Sequence, residues 1–90
     1  MSIKVFLPDR LSRLAKDKFL FEVDGKTVGE CLKHLVSLVP ALKRSLFDET
    51  GNELGDLVRV FVNKVDVDAE GLKKEVSDGD VIHIVMMTQH

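Results

Sequence analysis

Cysteine is nearly absent: Cys31 is the single one in 90 residues, so neither an internal disulfide nor a four-cysteine zinc or iron–sulfur site can form. Long apolar runs are missing too. Nothing approaches the roughly 18 uncharged apolar residues of a membrane span, and Asp9 and Arg10 interrupt the N-terminus before a signal-peptide core develops. The balance of 13 Lys+Arg against 15 Asp+Glu gives a net charge of −2, without the basic footprint that a phosphate backbone requires. Neither nucleic acid nor membrane is expected as a partner. The chain has no glycine-rich phosphate loop, nucleophile elbow or ordered His/Asp/Ser set, so an enzyme is not expected, nor a cofactor. It also lacks internal repeats, low-complexity tracts and linkers. One cytoplasmic domain over residues 1–90 is the expectation.

What is present is apolar and patterned. Val, Leu, Phe and Ile fill 33 of the 90 positions, well above the roughly one-fifth below which a chain cannot bury enough surface to fold. Ile3-Lys4-Val5-Phe6-Leu7 alternates with period 2 and ends at Pro8-Asp9. A second alternating run, Phe19 to Asp24, places Phe19, Phe21 and Val23 together before the turn signal Asp24-Gly25. The period then changes. Thr27-Val28-Gly29-Glu30 fits a capping box, and Val28, Cys31, Leu32, Leu35, Val36 and Val39 recur at helical spacing up to Pro40. This predicts the main helix over 28–39.

Ala41–Phe47 reads as a short helical turn with Leu42 and Leu46 inward, and 48–52 as a loop. Val58–Asn63 is the strongest strand, rich in β-branched residues. A small edge strand within 64–68, a polar connection over 69–76 and the turn Asp78-Gly79-Asp80 lead to the last strand, 81–86. The first two strands pair antiparallel, and a helix crossing must bring the later strands back beside the first. The fold class is therefore α+β: a β-grasp, a mixed sheet of four to five strands with one main helix packed across one face. The other sheet face is left to water.

The order of these motifs resembles the ThiS/MoaD family of small sulfur carriers, which are ubiquitin-like β-grasp proteins. Val58-Arg59-Val60-Phe61-Val62-Asn63 has that family's strand ending in Asn, and Asp78-Gly79-Asp80 followed by Val81–Val85 resembles its final turn and strand. Thr27–Glu30 before a Leu-rich helix, then Pro40-Ala41-Leu42, fits as well. The resemblance implies a role in sulfur transfer or in molybdopterin- or thiamine-type cofactor metabolism. It implies a protein partner: an adenylating (E1-like) enzyme or a cofactor-synthesis enzyme. Family carriers end in Gly-Gly, whose terminal carboxylate is adenylated and converted to a thiocarboxylate. This sequence holds no Gly-Gly pair, and its tail reads Met86-Met87-Thr88-Gln89-His90. The expectation is a docking module that is not thiocarboxylated. One alternative is an active carrier with an atypical or processed C-terminus, and another is a structural β-grasp subunit, homo-oligomeric through the Phe6/Phe61 face.

Side chains with chemistry are few. Cys31 lies on the buried stripe of the helix and reads as a small hydrophobe, and His34 reads as surface-solvated. His34, His83 and His90 match no metal spacing, so no metal site is expected. Asp66 and Asp68 belong to a solvated edge, and Asp78 and Asp80 to a tight turn. No catalytic residue is assigned. Strand parity instead puts Phe6, Phe61 and Val85 on the outward face with Lys4, Arg59 and His83. We read Phe6, Arg59, Phe61, His83 and Val85, with the tail 86–90, as the partner-binding set. The competing reading is that the 10–18 loop or Met86-Met87 covers the rings.

Overall fold

The structure is a computed structural model and describes residues 2–87. Strand β1 (Ile3–Phe6) pairs antiparallel with β2 (Leu20–Val23) and parallel with β5 (Val81–Met86). On its other side β5 pairs antiparallel with β3 (Val58–Val62), which carries the two-residue strand β4 (Val65–Asp66) at the far edge. The strand order is β2-β1-β5-β3-β4. A parallel β1/β5 pair flanked by antiparallel ones is what a chain with a helical crossover between its first hairpin and its last strands must form.

Alternation decides which side faces the core. Ile3 and Val5 of β1, Phe21 and Val23 of β2, Val58, Val60 and Val62 of β3, and Ile82 and Ile84 of β5 are all buried. Across from them runs α2 (Val28–Leu38), which buries Val28, Cys31, Leu32 and Leu35 in the same cluster. The helix starts where the Thr27 hydroxyl accepts the Glu30 N–H at 3.2 Å. The Glu30 carboxylate in turn accepts the N–H of Lys26, one residue before the cap, at 3.1 Å. Two otherwise orphaned backbone donors are thus satisfied at the helix entry. Gly25 lies so close over this turn that a Cβ there would sit 2.7 Å from the Cys31 nitrogen. After Pro40 a 3-10 turn (Pro40–Leu42) and the short helix Lys43–Leu46 bury Leu42 and Leu46.

Four sequence expectations are corrected. The connection between β1 and β2 is no bare loop: Asp9–Ser12 is one helical turn (α1) that puts Leu11 into the core, and Arg13–Ala15 a 3-10 turn that buries Ala15. It therefore packs in the helical layer rather than over the outer sheet face. Phe19, expected inward, precedes β2 and is 58 % exposed. Polar residue types do not make 69–76 a plain loop either. Asp68–Lys73 forms two short 3-10 turns separated by a kink at Gly71 and packs against α2, while Val28 N–H donates to Lys74 O and Val76 N–H to Lys26 O, closing the segment over the helix start. Finally, His34 is held rather than merely solvated, for its Nδ1 accepts the Asp24 N–H at 2.8 Å and ties the end of β2 to α2.

Candidate functional site

The register assembles the outer face row by row. Leu20 lies opposite Phe6, Phe6 opposite His83, His83 opposite Phe61, and Phe61 opposite Asp66. One row of side chains therefore crosses all five strands, and residues directly opposite in a sheet share a face. At its centre the Phe6 ring and the His83 imidazole stack with centroids 4.8 Å apart and planes 7° from parallel. Phe6, Phe61 and His83 are half-buried, between the exposed and the covered readings of the rings. Each shields part of its neighbour. Leu20 completes the row, and its outward direction follows from the parity of the Phe19–Asp24 run.

Two features hold that row in register. Asn63 follows β3 with φ of 51° and Lys64 with φ of 72°, the pair of left-handed residues that a two-residue hairpin loop into β4 demands. The same Asn63 grips the start of β5. Its Oδ1 accepts the Val81 N–H at 3.0 Å, its N–H donates to Val81 O at 2.8 Å, and its Nδ2 donates to Asp80 Oδ1 at 3.0 Å. Asp80 also accepts the Ser77 N–H, and these donors hold its carboxyl below the usual range. The strand-ending Asn and the Asp-Gly-Asp turn are thus two halves of one clamp, which sets His83 opposite Phe61.

Charged groups occupy the margins. Lys4 lies opposite Glu22 along one flank. On the other, the Arg59 guanidinium bonds Asp66 Oδ2 at 3.2 Å, and its Nε–H donates to Met87 Sδ at 3.1 Å. Val85, opposite Arg59, is 43 % exposed, as is Met87. Met86 is the last residue of β5 and packs against the core, so it is sheet rather than tail. The Met87 N–H still donates to Leu57 O at 2.7 Å, extending the ladder by one residue. Thr88, Gln89 and His90 lie outside the described residues.

The other titratable candidates stand apart from this face. Cys31 is fully buried, and burial, with Glu30 and Asp24 nearby, pushes its thiol up to about 11. A thiol so protonated at neutral pH is no nucleophile. Among the described residues no three His, Cys, Asp or Glu side chains come together as a metal site, and no helix is long and apolar enough to cross a membrane. Sequence reasoning missed the partner of Arg59: Asp66 reads as one of several edge acids until the hairpin register brings it beside the guanidinium.

Residues 5–88 match the family model described as the ThiS family. The chain belongs to the ThiS family. It is similar to solved structures over essentially its whole length. The crystal structure of the Amycolatopsis orientalis BexX/CysO complex contains a chain 29 % identical, with 98 % of each chain covered and a TM-score of 0.88. SAMP1 of Haloferax volcanii is 27 % identical, with 100 % of this chain and 99 % of that one covered and a TM-score of 0.86. A putative molybdopterin converting factor subunit 1 of Pyrococcus furiosus, 21 % identical with a TM-score of 0.74 over 98 % and 99 % of the chains, shares the fold. No curated protein matches the chain in sequence. The mixed sheet with α2 across one face is the ubiquitin-like β-grasp of these ThiS-family relatives.

Proposed function

We propose that this ThiS-family chain acts by docking, through its outer sheet face, on a protein partner in sulfur-transfer or molybdopterin- or thiamine-type cofactor metabolism. The observation that carries this reading is the row Leu20–Phe6–His83–Phe61, four apolar or aromatic side chains in adjacent register opposite the helical layer. A half-buried aromatic centre rimmed by the Lys4/Glu22 and Arg59/Asp66 pairs is the anatomy of a protein-binding patch. Phe6, Phe61, His83 and Val85 supply the contact area, and Arg59 the oriented charge. That a solved neighbour is a complex of CysO with BexX supports a protein partner in general. The partner class we infer is an adenylating (E1-like) or cofactor-synthesis enzyme of the cytoplasm. On this reading the chain is a binding component and not itself the enzyme.

The test is binding of the full chain to the adenylating enzyme of its own host. Phe61→Asp should weaken that binding about tenfold or more while leaving the circular dichroism spectrum unchanged. Undiminished binding by the folded variant would overturn the reading. A second reading, an active sulfur carrier, is favoured by the family match, which runs on into the tail as far as Thr88. Intact mass of the protein from its own host separates the two. One oxygen replaced by sulfur at the C-terminal carboxyl would mean carrier chemistry, and an unmodified chain would favour docking alone.

A further inference from the structure

Charge is distributed unevenly over this molecule. Residues 9–19 and 31–47 hold seven basic and two acidic side chains, a net +5, in a chain whose total is −2. The remainder therefore carries −7. These two segments meet in the fold, where the 3-10 turn Arg13–Ala15 packs against the turn Pro40–Leu42 that follows α2. Their large apolar side chains are not all used by the core: Leu14 is 45 % exposed, Phe19 58 % and Leu38 52 %. Arg10, Arg13, Lys16, Lys33, Lys43 and Arg44 make no ion pair among the described residues. Leu14 and Leu38 thus belong to elements that touch the turn Pro40–Leu42, and cations without an ion pair among the described residues lie on the same segments.

We propose that this end of the helical layer is a second protein-docking surface, which takes an acidic segment carrying apolar side chains. Apolar anchors need apolar counterparts, and uncompensated cations favour carboxylates, so the surface selects both properties together. The opposite sign over the rest of the chain orients such a segment to this end. Leu14, Phe19 and Leu38 offer hydrophobic contacts that a phosphate backbone cannot use. The surface belongs to the helical layer, so it leaves the Phe6/Phe61 row free for another protein. Its occupancy is independent of what docks there.

The experiment is amide chemical-shift titration of the full chain with a synthetic amphipathic peptide of Glu and Leu. Parallel titrations use the same peptide with Lys for Glu, phosphatidylserine vesicles, and a single-stranded oligonucleotide. Shifts confined to 10–19 and 38–44 with the acidic peptide, screened out as salt rises past about 0.3 M, are the expected result. Arg13→Glu combined with Lys43→Glu should weaken the binding about tenfold, and Leu14→Ser with Leu38→Ser should do likewise, whereas Phe61→Asp should leave it unchanged. Both double variants sit on exposed positions and keep the core intact. Shifts on the outer sheet face instead, equal binding of the Lys peptide, or tighter binding to vesicles or oligonucleotide would each overturn the proposal.

Discussion

Phe6 and His83 come from strands 77 positions apart in sequence, yet their rings stack at 4.8 Å, 7° from parallel, because β1 and β5 run side by side. The contact bridges the parallel pair at the middle of the sheet, where Phe61 flanks His83 from β3. A stacked pair of this kind contributes about 0.5–1 kcal/mol beyond its buried area. A double-mutant cycle with Phe6→Ala and His83→Ala, read by urea denaturation, should return a coupling of that size. Strictly additive effects would mean that the rings meet without mutual stabilisation.

The hairpin loop Asn63-Lys64 carries an unneeded cost. Both residues are left-handed, and a lysine there is disfavoured where glycine is not. Lys64→Gly should stabilise the protein by about 0.5–1 kcal/mol, seen as a higher thermal midpoint. Asn63→Ala should do the opposite by about 1–3 kcal/mol, for it loses the left-handed tolerance together with the side-chain bonds to Val81 and Asp80. Equal and small effects from both would contradict the clamp.

Much of this arrangement is legible in the sequence, for identifiable reasons. Period-2 alternation in 3–7, 58–62 and 81–86 is decided by one buried face, so parity places Phe6, Phe61, His83 and Val85 on the outer side without knowledge of the partners. The helix start is equally local: Thr27 and Glu30 lie within one turn of each other. The failures come where tertiary context decides. One helical turn at Asp9–Ser12 is too short to show a period, and Leu11 is drawn in by the core rather than by its own propensity. Parity fails for Phe19 because the strand begins one residue later. His34 and Asp66 acquire their partners across elements whose mutual register the sequence does not set, from the backbone of Asp24 and the side chain of Arg59.

Cys31 should behave as an inert, pH-sensitive part of the core. Its thiol is raised to about 11 from 9.0, so the folded state holds the proton more tightly than the unfolded chain. Stability from this group is full below pH 9 and is lost as pH rises toward 11, since only the unfolded chain ionises in that window. Thiol labelling of the native protein at neutral pH should be slow and should accelerate only with unfolding. Cys31→Val, which keeps an apolar side chain there, should flatten the alkaline loss. Rapid native labelling would show that the thiol is reached without opening the core.

At the acid end the relevant groups are Asp80 and Asp48, and the sign reverses. The Asn63 amide, followed by the Ser77 N–H, lowers the carboxyl of Asp80, and the Thr50 hydroxyl, with the N–H groups of Gly51 and Thr50, lowers that of Asp48. A folded-state pKa below the unfolded one gives stability that is present above the ordinary carboxylate range and lost as pH falls through it. Both residues are partly exposed, so solvent screens their interactions and the effect of each is modest. Their consequences differ. Asp48 closes its own loop, whereas Asp80 supports the residue that holds β5 against β3. Asp80→Asn should therefore reduce the change in urea midpoint between neutral and acid pH and also loosen the Asn63–Val81 bonds, seen as faster amide exchange at Val81. Asp48→Asn should change the midpoint alone. If Asp80→Asn left Val81 exchange untouched, the turn and the strand-ending Asn would be neighbours rather than one clamp.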